Sequence, residues 1–409
     1  MDSLSILNYQ GSKKNLLPFI RSNSMSAIFP GCTVLDIFAG TCSVGYSFKR
    51  TNRIFANDCE KYAYTISKAL LGKYSGFVRG DITGGINIAF DRNMKQINRR
   101  YGSLANEEVL ALRNGDVLEI SEFYHTVPTV WNGMIEEAAE SRDLFLRYYS
   151  SSYFGVLQAA EIDSLRLAIE EYRNTVLFAP LMAALYYAMK ECVFAKDGHM
   201  AQPLGFEKNI SKLLKQRQKS IFALFNAKFG EFFSDDFAVS DYENECFNMN
   251  FEDLLGLPKI RAEVDVVYAD PPYTDMQYSR YYHILNFITN YKPLPLTIIG
   301  GSHTKGLYTD GRYQSKLSIK SKCLSTFAAL VDFCCDFQKN LVVSFAYPAD
   351  TVLQKTDRYV MSIDSLVSLC AKRFGVSNVE VHSCEYTHSN NRNSEQKKVL
   401  EYLVVCKKS

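Results

Sequence analysis

An α/β fold is predicted: a Rossmann-like, doubly wound sheet that ends in an antiparallel hairpin and is interrupted by a largely helical insertion. Three observations carry this. GCTVLDIFAGTCSVGYSFKR gives a short strand over Thr33–Phe38, a small-residue turn over Ala39–Ser43 and a helix from Val44 onward. RIFANDCEKYAYTISKALL repeats strand and helix, with the strand ending at Asn57 and Asp58. Far downstream, the run Val264–Ala269 is apolar apart from Asp265, as a strand buried on both faces of a parallel sheet would be. Strand, glycine turn, helix and a strand with a terminal acid together open a doubly wound sheet.

The remaining elements follow in chain order. A polar, glycine-containing loop over Asn8–Lys14 leads into a helix carrying Leu16, Leu17, Phe19 and Ile20. From Gly80 to Asp241 the character changes: helical segments such as EEAAESRDLFLRYYS and LFAPLMAALYYAMKECVF dominate and strand signals are scarce. The sheet resumes at NECFNMNFEDLL, with Asn250 and Phe251 at a strand end, and NLVVSFAYP adds a further buried strand. VEVHSCEYTHS and VLEYLVVCKK form the terminal hairpin, with the polar loop Asn390–Lys398 between them. The expected organisation is a discontinuous sheet domain, residues 1–80 and 242–409, with a helical insertion over 81–241.

Composition bounds the function. The 409 residues are 47% hydrophobic and 22% charged, enough core for one large domain or two. A net charge of +2 excludes a wholesale polybasic binder and leaves room for a local basic groove. Eleven cysteines include no Cys-x-x-Cys pair, and adjacent Cys334 and Cys335 lack zinc-site spacing. An odd thiol count, with no signal peptide in MDSLSILNYQ, reads as reduced thiols in a cytoplasm. The richest apolar run, Val176–Ala188, is too short to span a membrane and reads as a core helix. The histidines show no metal-ligand spacing, so no metal is expected.

Chemistry concentrates at the strand ends. Pro271 and Pro272 have no backbone donors and fixed φ, so the strand stops at Asp270 in a stiff corner holding a carboxylate, a carbonyl and the Tyr273 ring. In open α/β sheets, ligands sit beyond such ends. The Gly40 turn admits a close ligand, and Asp58, about twenty residues on, is where a carboxylate accepts from ribose hydroxyls. Asp58 could also cap the next helix, and the two roles are compatible. Cys42 stands where a dinucleotide fingerprint needs its second glycine, so a nucleoside ligand without phosphates, S-adenosylmethionine above all, fits better.

DPPY after a buried strand, preceded by D-I-F-A-G and by an N-terminal Y-Q-G-S-K, resembles the Dam-type class of DNA adenine amino-methyltransferases. The likeness covers residues 6–70 and 240–409, and KDGHMAQPLGF is similar to the Gly-x-x-x-x-Pro element of the family's DNA-facing part. It implies a Rossmann-like S-adenosylmethionine-dependent methyltransferase whose residues 81–241 recognise the target. It implies cofactor contacts from Tyr9 and Lys13, a methionine end lined by Asp36, Phe38 and Gly40, a ribose at Asp58, and packing near the cofactor adenine by Asn250 and Phe251. Asp270, which also borders the cofactor, Pro271, Pro272 and Tyr273 are the catalytic corner. Cys42 and Asn250 replace the glycine and aspartate that many relatives carry.

Such a corner suits a flipped adenine. The exocyclic amine is a poor nucleophile because its lone pair is delocalised into the ring. The Asp270 carboxylate and the Pro271 carbonyl can accept both amine hydrogens, while Tyr273 offers a face for stacking. The implied partner is double-stranded DNA, with a companion restriction endonuclease as a further expected partner. Lys208, Lys212, Lys215 and Lys219 fall near one helical face, either a solvated face or a phosphate contact. Arg280 after the corner, and Arg312 and Gln314 in GRYQSKLS, are further DNA-facing candidates. Rival readings are amino methylation of RNA or of a protein glutamine, cytosine amino methylation, and a catalytically silent DNA-binding module. Asp270, where glutamine- and certain RNA-directed relatives commonly carry asparagine and cytosine-directed ones serine, favours adenine in DNA.

Overall fold

The computed structural model describes residues 4–7, 11–127, 142–196, 199–237, 239–349, 358–386 and 399–408. Seven strands form one sheet: β1 (Thr33–Asp36), β2 (Arg53–Asn57), β3 (Glu245–Phe247), β4 (Val266–Ala269), β5 (Asn340–Pro348), β6 (Val379–Tyr386) and β7 (Val399–Cys406). Their order across the sheet is β3-β2-β1-β4-β5-β7-β6. The first five are parallel, and β7 enters antiparallel between β5 and β6. The expected α/β sheet with a terminal hairpin is therefore present. The hairpin's connecting loop, Asn390–Lys398, lies outside the described residues.

Three expected strands are shorter than read. β1 stops at Asp36, β3 stops at Phe247 so that Asn250 and Phe251 open the following helix, and β4 starts at Val266 although Val264 is fully buried. The reason at β4 is Asp265, whose carboxylate accepts from Thr33 N (2.8 Å) while its own N–H donates to Thr33 O (3.0 Å). A side chain thus satisfies backbone groups that a ladder would otherwise pair.

Period-two alternation divides the strands between two cores. Val34, Val266, Tyr268, Val342, Leu403 and Val405 face one side, and Leu35, Val267, Ala269, Leu341, Val343 and Val404 the other. Each aliphatic side chain buried this way contributes about 1.5–3 kcal/mol. Helices Phe251–Leu255, Pro258–Glu263, Lys320–Asp336 and Ile363–Phe374 cover the second face. Lys61–Leu71 covers the first, and the same core continues without a break into Arg79–Asn114, Val156–Glu170, Phe178–Cys192 and Ile221–Glu231. Between 81 and 241 no described residue belongs to the sheet. Among the described residues no helix is long and apolar enough to cross a membrane. The apolar run near Val176 is instead the core helix Phe178–Cys192.

The middle segment also grips the chain after β4. Met200 N donates to Tyr281 O (3.0 Å), and the buried His283 donates through Nε2 to Met200 O (3.1 Å). Burial pushes the His283 pKa down to about 3, so the ring is neutral and the carbonyl can only accept. Arg166, 1% exposed, donates to Ile288 O (2.8 Å) and Thr289 O (3.4 Å) at the end of helix His283–Asn290.

Candidate active site

The carboxyl ends of β1, β2 and β4 surround a cleft that opens to solvent. Three devices hold those ends. The Asn57 amide donates to Ile37 O and Met249 O, both at 3.1 Å, and its oxygen accepts from Met249 N (3.2 Å). Asp58 uses both oxygens on backbone, accepting from Gly40 N (2.9 Å) and Glu60 N (2.9 Å). Asp36 accepts from Gly45 N (3.2 Å) at the start of helix Ser43–Phe48. The glycine turn is thus fastened from both sides by carboxylates. Within it Gly40 has φ 51° and Cys42 φ 54°, both left-handed. A residue with a Cβ is strained there by roughly 1–2 kcal/mol, which is why glycine is the commoner occupant. The Cys42 side chain is fully buried.

Lys13 reaches the cleft from the turn that precedes helix Leu17–Asn23, which is anchored by buried Leu16, Leu17 and Ile20. It is 5% exposed, with Nζ 3.1 Å from Asp270 Oδ1 and 2.8 Å from Glu401 Oε1. Burial opposes its charge, but the two carboxylates outweigh burial and hold it well above the ordinary lysine range. Burial pushes Asp270 up to about 7; Lys13 opposes the rise and Glu401 adds to it. Burial, with Asp270 and Asp58 adding to it, also carries Asp36 to about 7. Glu60, hydrogen-bonded by Asn286 Nδ2, reaches about 7 for the same main reason, and burial raises Asp58 too.

Of the sequence candidates, Lys13, Asp36, Phe38, Gly40, Asp58, Phe251, Asp270, Pro271, Pro272 and Gln314 all line this one cleft. Phe38 and Phe251 meet edge to face, with centroids 5.3 Å apart. Tyr9 lies outside the described residues. Asn250 starts helix Phe251–Leu255 through its backbone, while its neighbours Met249 and Phe251, not Asn250 itself, line the cleft.

Tyr273 differs from the expectation of an open stacking face. It is 9% exposed and packs edge-on against Phe345, with centroids 6.2 Å apart. The cause is a long-range contact: Val360 N donates to Tyr273 O (3.2 Å) and Thr274 pairs with Tyr359, which draws the corner toward the second core. The lysine face differs as well. Lys208 and Lys215 are exposed, but Lys212 donates to Ala195 O (2.7 Å) and Lys219 to Glu191 O (2.6 Å), so two of the four ammonium groups are spent on carbonyls. Arg280 and Arg312 approach the ring of Tyr308 at 5.4 and 4.5 Å.

Glu401, Glu60, Asn57 and Tyr313 were not singled out from sequence. Glu401 carried a readable signal, being the lone acid in the apolar strand VLEYLVVC. Among the described residues no group of three or more His, Cys, Asp or Glu side chains could hold a metal ion.

Sheet order and corner together are those of an amino-methyltransferase fold. The chain belongs to the D12 class N6 adenine-specific DNA methyltransferase family, whose model matches residues 9–293. It is 27% identical over 409 residues to the modification methylase LlaI of Lactococcus lactis subsp. lactis, covering 98% of this chain and 55% of that one. It is 24% identical over 417 residues to the type II methyltransferase M.NlaIII of Neisseria lactamica, covering 98% of this chain and 100% of that one. With the type II methyltransferase M.FokI of Planomicrobium okeanokoites the identity is 25% over 298 residues, covering 70% of this chain and 37% of that one. The chain thus spans about half the length of the first of these relatives and the whole of the second.

Proposed function

We propose that the chain transfers a methyl group from S-adenosylmethionine to the exocyclic amine of a flipped adenine in duplex DNA, as the modifying partner of a restriction endonuclease. The observation that carries this is the meeting of Asp270, Pro271 and Pro272 with Phe38, Gly40, Asp58 and Phe251 around one cleft. The lining fits the cofactor. Its charged side chains are Asp36, Asp58, Glu60 and Asp270 against Lys13 alone, a balance suited to a cation, and two aromatic rings offer an apolar end. Bound there, S-adenosylmethionine supplies a methyl group already activated on a sulfonium.

The chain's residues do the rest by position and electrostatics. Asp270 and the Pro271 carbonyl accept the two amine hydrogens and favour a more tetrahedral nitrogen, and the proton that nitrogen loses on taking the methyl group passes to Asp270 or to water. The prolines keep both acceptors from turning away. Asp58 and Phe251 hold the nucleoside end, and Asp36 keeps the glycine turn in place. Exposed Lys208, Lys215 and Arg280, with Arg312 and Gln314 near the cleft mouth, serve the DNA, and residues 81–241 read the target.

The test is direct. The purified chain is incubated with methyl-tritiated S-adenosylmethionine and unmethylated plasmid DNA, and the DNA is hydrolysed to nucleosides. Label in 6-methyladenine is expected. Label in 4-methylcytosine, or incorporation only when RNA or protein replaces the DNA, would sink the reading.

A further inference from the structure

The buried ion cluster behind the corner includes a residue with no part in holding cofactor or substrate. Glu401 on β7 is 1% exposed, and its Oε1 accepts from both Lys13 Nζ (2.8 Å) and Ser344 Oγ (2.6 Å). Lys13 Nζ in turn lies 3.1 Å from Asp270 Oδ1. We propose that Glu401 is a positioning residue: fixed by Ser344, it fixes Lys13, and Lys13 holds Asp270 with Oδ2 left to accept from the substrate amine. This rests on the methyl-transfer reading above.

Three arguments support it. Lysine's ammonium sits on a flexible four-carbon stem, so one contact to Asp270 does not define its place, and a second buried anchor does. The Asp270 side chain is 22% exposed, yet its Oδ1 is closed to solvent, so the accessible part of the group lies elsewhere. Thirdly, a buried ion cluster is a poor source of stability: apolar residues of similar volume are often neutral or better. A fully buried glutamate beside the reacting carboxylate is better explained by geometry than by stability.

Charge follows the same path. Lys13 favours ionisation of Asp270 and Glu401 opposes it. The other groups facing the cluster are Tyr268 on β4, Asp36 on β1, Ser344 on β5, Cys384 on β6 and Tyr273, whose ring centroid lies 5.7 Å from Lys13 Nζ. Removing the Glu401 charge therefore lets Asp270 ionise at lower pH, which loss of shape alone would not do.

The experiment compares wild type, Glu401→Gln and Ser344→Ala as full chains. It measures single-turnover methylation of unmethylated plasmid DNA from pH 5.5 to 9, with cofactor affinity by calorimetry and thermal melting alongside. Glu401→Gln keeps an oxygen for both donors and removes the charge. Its plateau rate is expected to fall by about tenfold to 10²-fold, the scale of a small misplacement of a reacting group. Its acid limb is expected to move to lower pH while cofactor affinity is retained. Ser344→Ala keeps the charge, so its plateau should fall with the acid limb unmoved. A Glu401→Gln enzyme with wild-type plateau and wild-type acid limb overturns the proposal. If Glu401→Gln fails to fold, Ser344→Ala decides, and an unchanged plateau there overturns it. A wild-type chain that labels no adenine overturns the methyl-transfer reading itself, whereas an active wild type with an unaltered Glu401→Gln overturns only this one.

Discussion

Lys13 and Glu401 stand 388 positions apart in the chain, and their side chains meet at 2.8 Å in a site closed to solvent. The N-terminal turn and the last strand are therefore joined behind the catalytic corner. Lys13→Ala leaves Glu401 and Asp270 buried without their shared cation. Breaking a buried pair in this way costs about 3–5 kcal/mol. Urea unfolding should show a loss of that size, and a variant as stable as wild type would mean that the two acids are protonated or solvated.

Asp270→Ala should leave the fold intact and lower methyl transfer by about 10²–10³-fold or more, the scale for removing a preorganised group at the reacting centre. Near-normal single-turnover rates in the folded variant would refute the corner's role.

Tyr273 separates packing from stacking. Its ring lies against Phe345, so Tyr273→Ala should cost about 3–5 kcal/mol of stability, as large-to-small core changes do. Tyr273→Phe should keep both stability and most activity, because neither ring packing nor base stacking needs the hydroxyl. A stable but inactive Tyr273→Phe would show that the phenol takes part in proton transfer.

Cofactor affinity should depend on pH. Burial chiefly raises Asp36, Glu60 and Asp270 to about 7, so each is mostly protonated at pH 6 and mostly ionised at pH 8. A sulfonium cation favours the ionised forms, so binding releases protons and weakens as pH falls from 8 to 6. Calorimetry in buffers of different ionisation enthalpy measures the proton count. Proton uptake, or an affinity flat across that range, contradicts the assignment of these carboxyls to the cation.

Cys42 occupies a left-handed position with its side chain in the core. Cys42→Gly trades relief of roughly 1–2 kcal/mol of backbone strain against lost packing and should be nearly neutral. Cys42→Val meets the strain with a stiffer, branched side chain and should melt lower. Equal melting temperatures for all three would mean that the turn relaxes out of that conformation.

Much of this architecture is legible from local signals. The Asp270 corner reads clearly because a buried apolar run followed by two prolines leaves the chain one option. The strands that lead to Asp36 and Asp58 read from apolar runs meeting small or acidic residues, although the first stops two residues before its run does. What stays hidden depends on long-range packing. Glu401 stands out as the lone acid in an apolar strand, but its partner Lys13 comes from the other end of the chain and no local signal names it. Tyr273's burial is set by Val360, far along in sequence. Lys212 and Lys219 share a helical repeat with exposed lysines, and only the nearby carbonyls of Ala195 and Glu191 reveal that they are engaged.

If the middle segment reads the target as proposed, the unbroken core that joins the sheet side to helices Val156–Glu170 and Phe178–Cys192 limits how such an enzyme can acquire a new target. A middle segment transplanted from a relative would have to bring its own fit to helix Lys61–Leu71, and an equivalent of Arg166 to satisfy the Ile288 and Thr289 carbonyls. Recombination at the segment's ends would more often break the catalytic half than redirect it. Lineages built on this frame should therefore diversify their sites by gradual substitution on the exposed rim, with the buried seam inherited whole.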